Sequence, residues 1–503
     1  MNLDTPANKT KIVCTIGPAS DSAQMLARML EAGMNVARLN FSHGDFDYHR
    51  ALISRIREAT AETGCRVAIM GDLPGPKMRI GQLDREPIEL SPGELITLTT
   101  DRITGNCERV SVSFAGLPAA VNPGDTLFLN DGFIQLEVLG VRGNDVECEV
   151  IVGGELRSRK GLNLPGIDLG ISAFTEDDRR WLKFAAQNAV DAVSQSFVAG
   201  AEDIHEVRRA AEALDYKPFV IAKIERAGAL ERLDGILDAA DGMMVARGDL
   251  GVEIPIERIA VVQKNIMRLA NRAGKPVITA TQMLESMVEY NRPTRAEATD
   301  VANAILDGAD CVMLSAESAM GRFPVESVRM LAAIASATEP KRPKTRLSDM
   351  LLAKRRASDE KFNVVDLIAL SVHHTIERVR PLAVFVPSSS GRTARNVTRF
   401  RLPVWIIAFT PNAGTCQALQ FSWGIHPIKV EKDLPDWNAF IRRWLAGKGR
   451  VSGLALLTQG PTEQHPCGNQ RLEILDLDSD TGAVCTGFGE NDATNGNGPP
   501  DAT

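Results

Sequence analysis

From Lys11 onward, short apolar runs alternate with longer amphipathic stretches, a pattern that predicts strands and helices in turn. Lys11–Ile16 reads as a strand, Ser20–Glu31 as a capped helix, Met34–Asn40 as a strand, Asp45–Glu62 as a helix and Val67–Asp72 as a strand. There the alternation stops. It resumes with a helix over Glu176–Asn188 and strands at Asp191–Phe197, Phe219–Glu225, Gly242–Ala246, Pro276–Thr281 and Asp310–Leu314, separated by helical patterns such as Ile256–Asn271 and Arg295–Leu306. Eight strands alternating with helices are the sequence form of an α/β fold, the (β/α)8 TIM barrel, whose chemistry gathers at the C-terminal ends of the strands.

The interruption, from Pro76 to Gly170, lacks helical period and carries short β runs broken by Ser91-Pro-Gly-Glu, Asn122-Pro-Gly-Asp, Asn130-Asp-Gly and Arg142-Gly-Asn-Asp. It reads as a small β-barrel domain inserted at the mouth of the barrel, where a lid is the natural use. After Glu339-Pro-Lys-Arg-Pro-Lys comes a basic, polar linker and then a C-terminal α/β domain. A helix is expected over Phe362–Arg378, with strands at Leu382–Pro387, Val404–Phe409, Gly453–Thr458 and Arg471–Asp476. The expected division is 1–75 with 171–340 for the barrel, 76–170 for the lid, 341–478 for the last domain and 479–503 for a tail. That tail is mostly Gly, Asp, Asn and Thr and is expected to be disordered.

Composition narrows the function classes. With 503 residues, 44% hydrophobic and 24% charged, the chain is an ordinary globular protein of several domains. A net charge of −7 gives no overall field that would draw nucleic acid or an anionic membrane. Eight cysteines are scattered without a CxxC, which argues for reduced thiols and a cytoplasmic location. The N-terminus shows no apolar signal core, and no apolar run reaches membrane-spanning length.

The candidate chemistry centres on Phe219-Val-Ile-Ala-Lys-Ile-Glu and Met244-Val-Ala-Arg-Gly-Asp-Leu-Gly. On a strand, Lys223 and Glu225 point to the same face, so a cation and a carboxylate share one pocket. Asp249, just past the next strand, can bring a second carboxylate to the same mouth, and the two can hold a divalent metal. Taken alone, Lys223 and Glu225 are more often a solvated pair on an edge strand.

Longer motifs change that balance. Thr10-Lys-Ile-Val-Cys-Thr-Ile-Gly-Pro-Ala-Ser, Gly33-Met-Asn-Val-Ala-Arg-Leu-Asn-Phe-Ser-His-Gly, Lys160-Gly-Leu-Asn-Leu-Pro-Gly, Ala280-Thr-Gln-Met-Leu-Glu-Ser-Met and Arg292-Pro-Thr-Arg-Ala-Glu, with the two stretches above, resemble the pyruvate kinase family over nearly the whole chain. The resemblance implies transfer of the phosphoryl group of phosphoenolpyruvate to ADP, then protonation of the enolate to pyruvate. It implies that Glu225 and Asp249 hold Mg2+ or Mn2+, that Lys223 stabilises charge on the transferring group and that Arg38 grips the phosphoryl oxygens. The amides of Gly248 and Asp249 would take the substrate carboxylate, and Thr281 would lie near the carbon that gains a proton. Outside the motifs, Arg38 reads equally as a structural ion pair, Gly248-Asp249 as a turn and Thr281 as a cap.

For the nucleotide, the resemblance implies Arg79 and Lys160 on the phosphates, Pro18, Asn40, His43 and Tyr48 on the base and ribose side, and Asp131 near the nucleotide metal. His43 by itself could start a helix, and Asp131 could belong to an ordinary turn. One departure stands out. Most members carry Asp-Thr-Lys-Gly-Pro-Glu after the third strand, beside a bound K+; here the run is Asp72-Leu-Pro-Gly-Pro-Lys. Asn40, Ser42, Asp72 and the Leu73 carbonyl position remain as a doubtful monovalent site, while Lys77 supplies a fixed positive charge, so K+ is not expected to be required. In the last domain Ser388, Ser389, Ser390, Gly391, Arg392 and Thr393 follow a strand and precede a helix; the resemblance implies a sugar-phosphate effector there, against the alternative of a plain capped helix. It also implies a homotetramer. Two other classes compete: a metal-dependent aldolase or lyase on a similar barrel, and a metabolite-binding regulator on an inactive frame.

Overall fold

The computed structural model describes residues 3, 5–167, 170–342, 364–431, 434, 436–460 and 470–479. Eight parallel strands close into a barrel: Lys11–Thr15, Val36–Asn40, Ala68–Leu73, Ala192–Gln195, Phe219–Ile224, Gly242–Ala246, Val277–Ala280 and Cys311–Leu314. Each falls within a residue or two of its predicted ends. Nearly every residue in them is buried, because one face packs into the barrel and the other against the helices. Inside lie Val13, Val36, Met70, Ile221, Met244 and Ile278; outside, a larger cluster joins the strands to helices such as Phe46–Thr63 and Ile259–Ala273.

Helix starts follow the sequence signals. Asp45 accepts from the Tyr48 amide, and Thr175 and Thr294 form capping boxes with Asp178 and Glu297. Asp178 does more than cap: its Oδ1 accepts from the Gly75 amide at 2.9 Å. Gly75 has φ +64 and is the point where the chain leaves the barrel, so the outgoing and returning connections are tied together.

The insertion forms a six-stranded sheet, from Leu95–Thr99 to Leu162–Asn163, plus a two-stranded ladder of Ile88–Leu90 with Gly154–Leu156. Its strands alternate as the sequence does: Ile134, Leu136 and Val138 face a core shared with Val146, Cys148 and Val150. Asn130 and Asp131 take φ 53 and 56, the successive left-handed pair expected of the Asn-Asp-Gly turn.

The last domain holds a five-stranded sheet, not the four strands expected. The strand missed is Ile425–Lys429, which contains Pro427. Proline removes a ladder donor and argues against a strand, but this strand lies at the sheet edge, where the loss is tolerated. The helix begins at Val364 in the described residues; Phe362, Asn363, the linker from 343, and the tail from 480 lie outside them. This domain closes the N-terminal end of the barrel. Phe421 enters the interior and stacks on Phe219 at 5.3 Å, and Arg401 pairs with Asp310 at 2.7 Å. Among the described residues no helix is long and apolar enough to cross a membrane.

Candidate active site

The polar residues of the barrel mouth continue the same period-two rows that fill its interior. Met70 faces inward, so Asp72 does too; Ile221 is followed by Lys223, Val36 by Arg38, and Ala192 by Ser194. Register then sets the neighbours: Thr15 lies beside Arg38, and Asp72 beside both Asn40 and Ser194.

Asp72 is the hub of this layer. It accepts from Arg38 Nε at 2.9 Å and from Nη2, from Ser194 Oγ at 2.6 Å and from Lys223 Nζ at 3.3 Å. Arg38 also donates to Thr15 Oγ1 at 2.8 Å. Lys223 Nζ lies 2.6 Å from Ser196 Oγ and 2.9 Å from Glu225 Oε1, and Glu225 Oε2 accepts from the Phe197 amide at 2.6 Å. All four charged groups are at most 9% exposed. At such depth an unpaired charge would be costly, and the pairing answers that cost. Burial pushes Asp72 up, but Lys223 and Arg38 outweigh it and hold the carboxyl below its usual range. Burial likewise works against the Lys223 ammonium, yet Asp72 and Glu225 leave it raised overall, so it stays charged. Glu225 is raised, first by burial and then by the nearby Asp249, with Lys223 opposing.

Asp249 sits in the short helix Arg247–Glu253, where the sequence placed a turn or helix start. Its Oδ1 faces Lys77 Nζ at 3.7 Å. Lys77 therefore points into the mouth. Burial lowers the His43 imidazole, helped by Arg79, Lys77 and Arg38, so these side chains form one electropositive region. The lid bears on it as well: a Cβ at Gly161 would come within 3.8 Å of Lys77 Cε and 3.9 Å of Asp131 Oδ1, and one at Gly132 within 3.2 Å of Val252. Arg79 is bridged to Gly161, next to Lys160, and donates to the Arg159 carbonyl at 3.1 Å. On the other side of the mouth, Pro18 is exposed and the Tyr48 hydroxyl donates to Asp21 at 3.4 Å.

Other candidates have local partners. Thr281, at φ 67, accepts from the Gly248 amide of the helix Arg247–Glu253 at 2.8 Å and donates to the Ala280 carbonyl at 2.5 Å. Asn40 Oδ1 accepts from the Ser42 amide at 3.2 Å, and the Leu73 side chain is packed in the outer core. Far from the mouth, Ser388 and Ser390 accept from the Gly391 and Arg392 amides at 3.0 and 3.4 Å, and the Ser389 carbonyl accepts from Thr415 at 2.7 Å. Gly391 has φ +72 at the start of the helix Arg392–Thr398, which Thr393 enters. Thr15, Ser194 and Ser196 were not among the sequence candidates. The signal for the two serines was present: each lies two or four residues after inward-facing Ala192.

The Glu225 and Asp249 carboxylates, both hard oxygen donors and close enough to raise Glu225, suit a divalent cation. Among the described residues no group of three or more His, Cys, Asp or Glu is placed to hold a metal.

The pyruvate kinase barrel-domain description matches residues 7–328 and its alpha/beta-domain description residues 366–453. The chain is 42% identical to the pyruvate kinase of Thermococcus litoralis over 94% of its own length and 100% of the relative's. It is 44% identical to that of Geobacillus stearothermophilus over 83% of this chain and 71% of the relative, and 40% identical to that of Staphylococcus aureus over 90% and 77%. With this barrel, its inserted lid and the cationic mouth, such coverage shows that the chain belongs to the pyruvate kinase family, phosphotransferases acting on phosphoenolpyruvate and ADP.

Proposed function

We propose that this pyruvate kinase carries out transfer with Lys223 and Arg38 facing the phosphoryl group, Glu225 and Asp249 holding Mg2+ or Mn2+, and no requirement for K+. The observation that carries the reading is the buried charge layer in which one carboxylate, Asp72, orients both cations. Phosphoryl transfer needs positioning and charge neutralisation more than covalent chemistry, and preformed cations in a dry site supply both. The metal, when bound, neutralises charge on the substrate's carboxylate and enolate oxygens. Gly248 and Asp249 lie where an anion meets backbone N–H groups; the Gly248 amide is now held by Thr281, so we assign Thr281 to shaping that subsite and relaying a proton through water. Arg79, Lys160, Asn40, His43, Tyr48, Pro18 and Asp131 are assigned to the nucleotide and its metal. The residue ranges 1–75 with 171–340, 76–170 and 341–478 are the units in which we expect the chain to work, in the cytoplasm and as a homotetramer.

The direct test is pyruvate formation from phosphoenolpyruvate with and without ADP. Release that ignores ADP, or carbon–carbon cleavage, would overturn the reading. Glu225→Gln and Asp249→Asn each keep shape but remove a charge from the metal pair. Each is expected to move the Mn2+ activation curve to at least about tenfold higher concentration, by analogy with the loss of groups that support a metal site. An unmoved curve would remove that residue from the metal site.

We further propose activation by a sugar phosphate at Ser388, Ser389, Ser390, Gly391, Arg392 and Thr393, where hydroxyls and amides gather on one turn beside a cation. A panel of hexose and pentose phosphates is expected to shift the phosphoenolpyruvate saturation curve to lower concentration. If none does, the hydroxyls only cap the turn.

A further inference from the structure

We propose that Ser194 is a positioning residue for phosphoryl transfer: its hydroxyl fixes the Asp72 carboxylate, and through it Arg38 and Lys223, and it occupies the carboxylate oxygen that a monovalent cation would use. The proposal rests on the reading of Arg38 and Lys223 as the cations that face the phosphoryl group.

Ser194 and Asp72 are register partners on adjacent parallel strands, 0% and 2% exposed. Their contact, Oγ to Oδ1 at 2.6 Å, is short and buried, and bonds from a hydroxyl to a carboxylate are among the stronger neutral-to-charged kinds. An ionised carboxylate offers about four lone-pair positions. Here Arg38 takes two bonds on Oδ2, Lys223 one, and Ser194 one on Oδ1. Both oxygens are engaged, Oδ2 by Arg38 and Oδ1 by Ser194, with Lys223 Nζ 3.3 Å from each, so the carboxylate is oriented and both cations are held at fixed directions before substrate arrives. An oxygen that already accepts from a hydroxyl and faces an ammonium is also a poor ligand for a further cation. This connects two features of the chain: Lys77 brings a fixed charge to the mouth, and Ser194 engages the Asp72 Oδ1, which otherwise has only Lys223 Nζ at 3.3 Å. Ser196 completes the clamp from the same row, 2.6 Å from Lys223 Nζ.

A buried serine can also be merely structural, so the test needs readouts that packing would not move. Ser194→Ala is expected to lower kcat about tenfold at saturating phosphoenolpyruvate and ADP, the scale of one buried hydrogen bond to a charge. Mn2+ affinity of the enzyme, read by electron paramagnetic resonance, should stay within twofold, because Glu225 and Asp249 are untouched; this also reports a folded site. Ser194→Thr and Ser194→Val differ only in the hydroxyl at nearly equal volume, and Thr is expected to exceed Val in kcat about tenfold. Equal kcat in that pair would overturn the proposal, including where the alanine variant folds poorly. The second readout uses K+. In Lys77→Glu, Ser194 still holds Asp72 Oδ1; adding Ser194→Ala is expected to lower the half-activating K+ concentration about tenfold. The same K+ curve in the single and double variants would overturn the cation-excluding part. If Lys77→Glu shows no K+ response at all, the fault lies with the reading of Lys77, and the Thr/Val comparison still decides the positioning role.

Discussion

Lys223→Met is expected to lower phosphoryl transfer by about a thousandfold or more while the barrel stays folded. Removing one preformed electrostatic donor typically costs a factor of about a hundred to a thousand, and here the donor is a full charge in a buried layer. Methionine keeps most of the volume. The folding cost is limited by chemistry already in place: Arg38 still pairs with Asp72, and Glu225, whose carboxyl burial and Asp249 already push up, can take a proton. Some stability loss is expected, since breaking a buried pair leaves charge behind. Circular dichroism should show an unchanged fold at 25 °C, and a coupled assay reads the turnover. Exchange of the pyruvate methyl protons should survive better than transfer, because the metal can stabilise the enolate without the ammonium. Turnover near that of the parent protein would remove Lys223 from the reaction.

The unmutated protein is expected to reach full activity in a buffer whose only monovalent cation is tetramethylammonium, and Lys77→Glu is expected to lose most of that activity and regain part of it with K+. The physical ground is the position of the ammonium. Lys77 points into the mouth, 3.7 Å from Asp249, and contributes to the positive field that lowers His43. An outward, solvated lysine would have done neither. A K+ ion near that ammonium would meet like-charge repulsion in a partly desolvated space. The glutamate variant reverses the sign, so both the substrate phosphate and Asp249 would then face an added negative charge until K+ enters. A many-fold rise in turnover on adding K+ to the unmutated protein would refute the argument.

Short apolar runs alternating with amphipathic helices located all eight barrel strands, because parallel strands buried on both faces read as continuous apolar runs that helices punctuate. The lid was legible as a stretch without helical period, and its hairpins as Asn-Asp-Gly and Pro-Gly turns. The edge strand Ile425–Lys429 was not, since its proline speaks against a strand and only its place at the sheet edge permits one. The charged residues of the mouth were found through their long motifs. Ser194 and Ser196 were passed over because a serine carries no signal until its neighbours are known.

What the sequence determined by itself was the set of groups at each strand end and the face on which each stands, because side-chain direction follows from local parity. It could not determine which groups meet. The barrel's register decided that: it set Ser194 beside Asp72 and brought Arg38 and Lys223 from different strands onto one carboxylate. Such pairings depend on the stagger of strands far apart in the chain, and only closure of the barrel fixes that stagger.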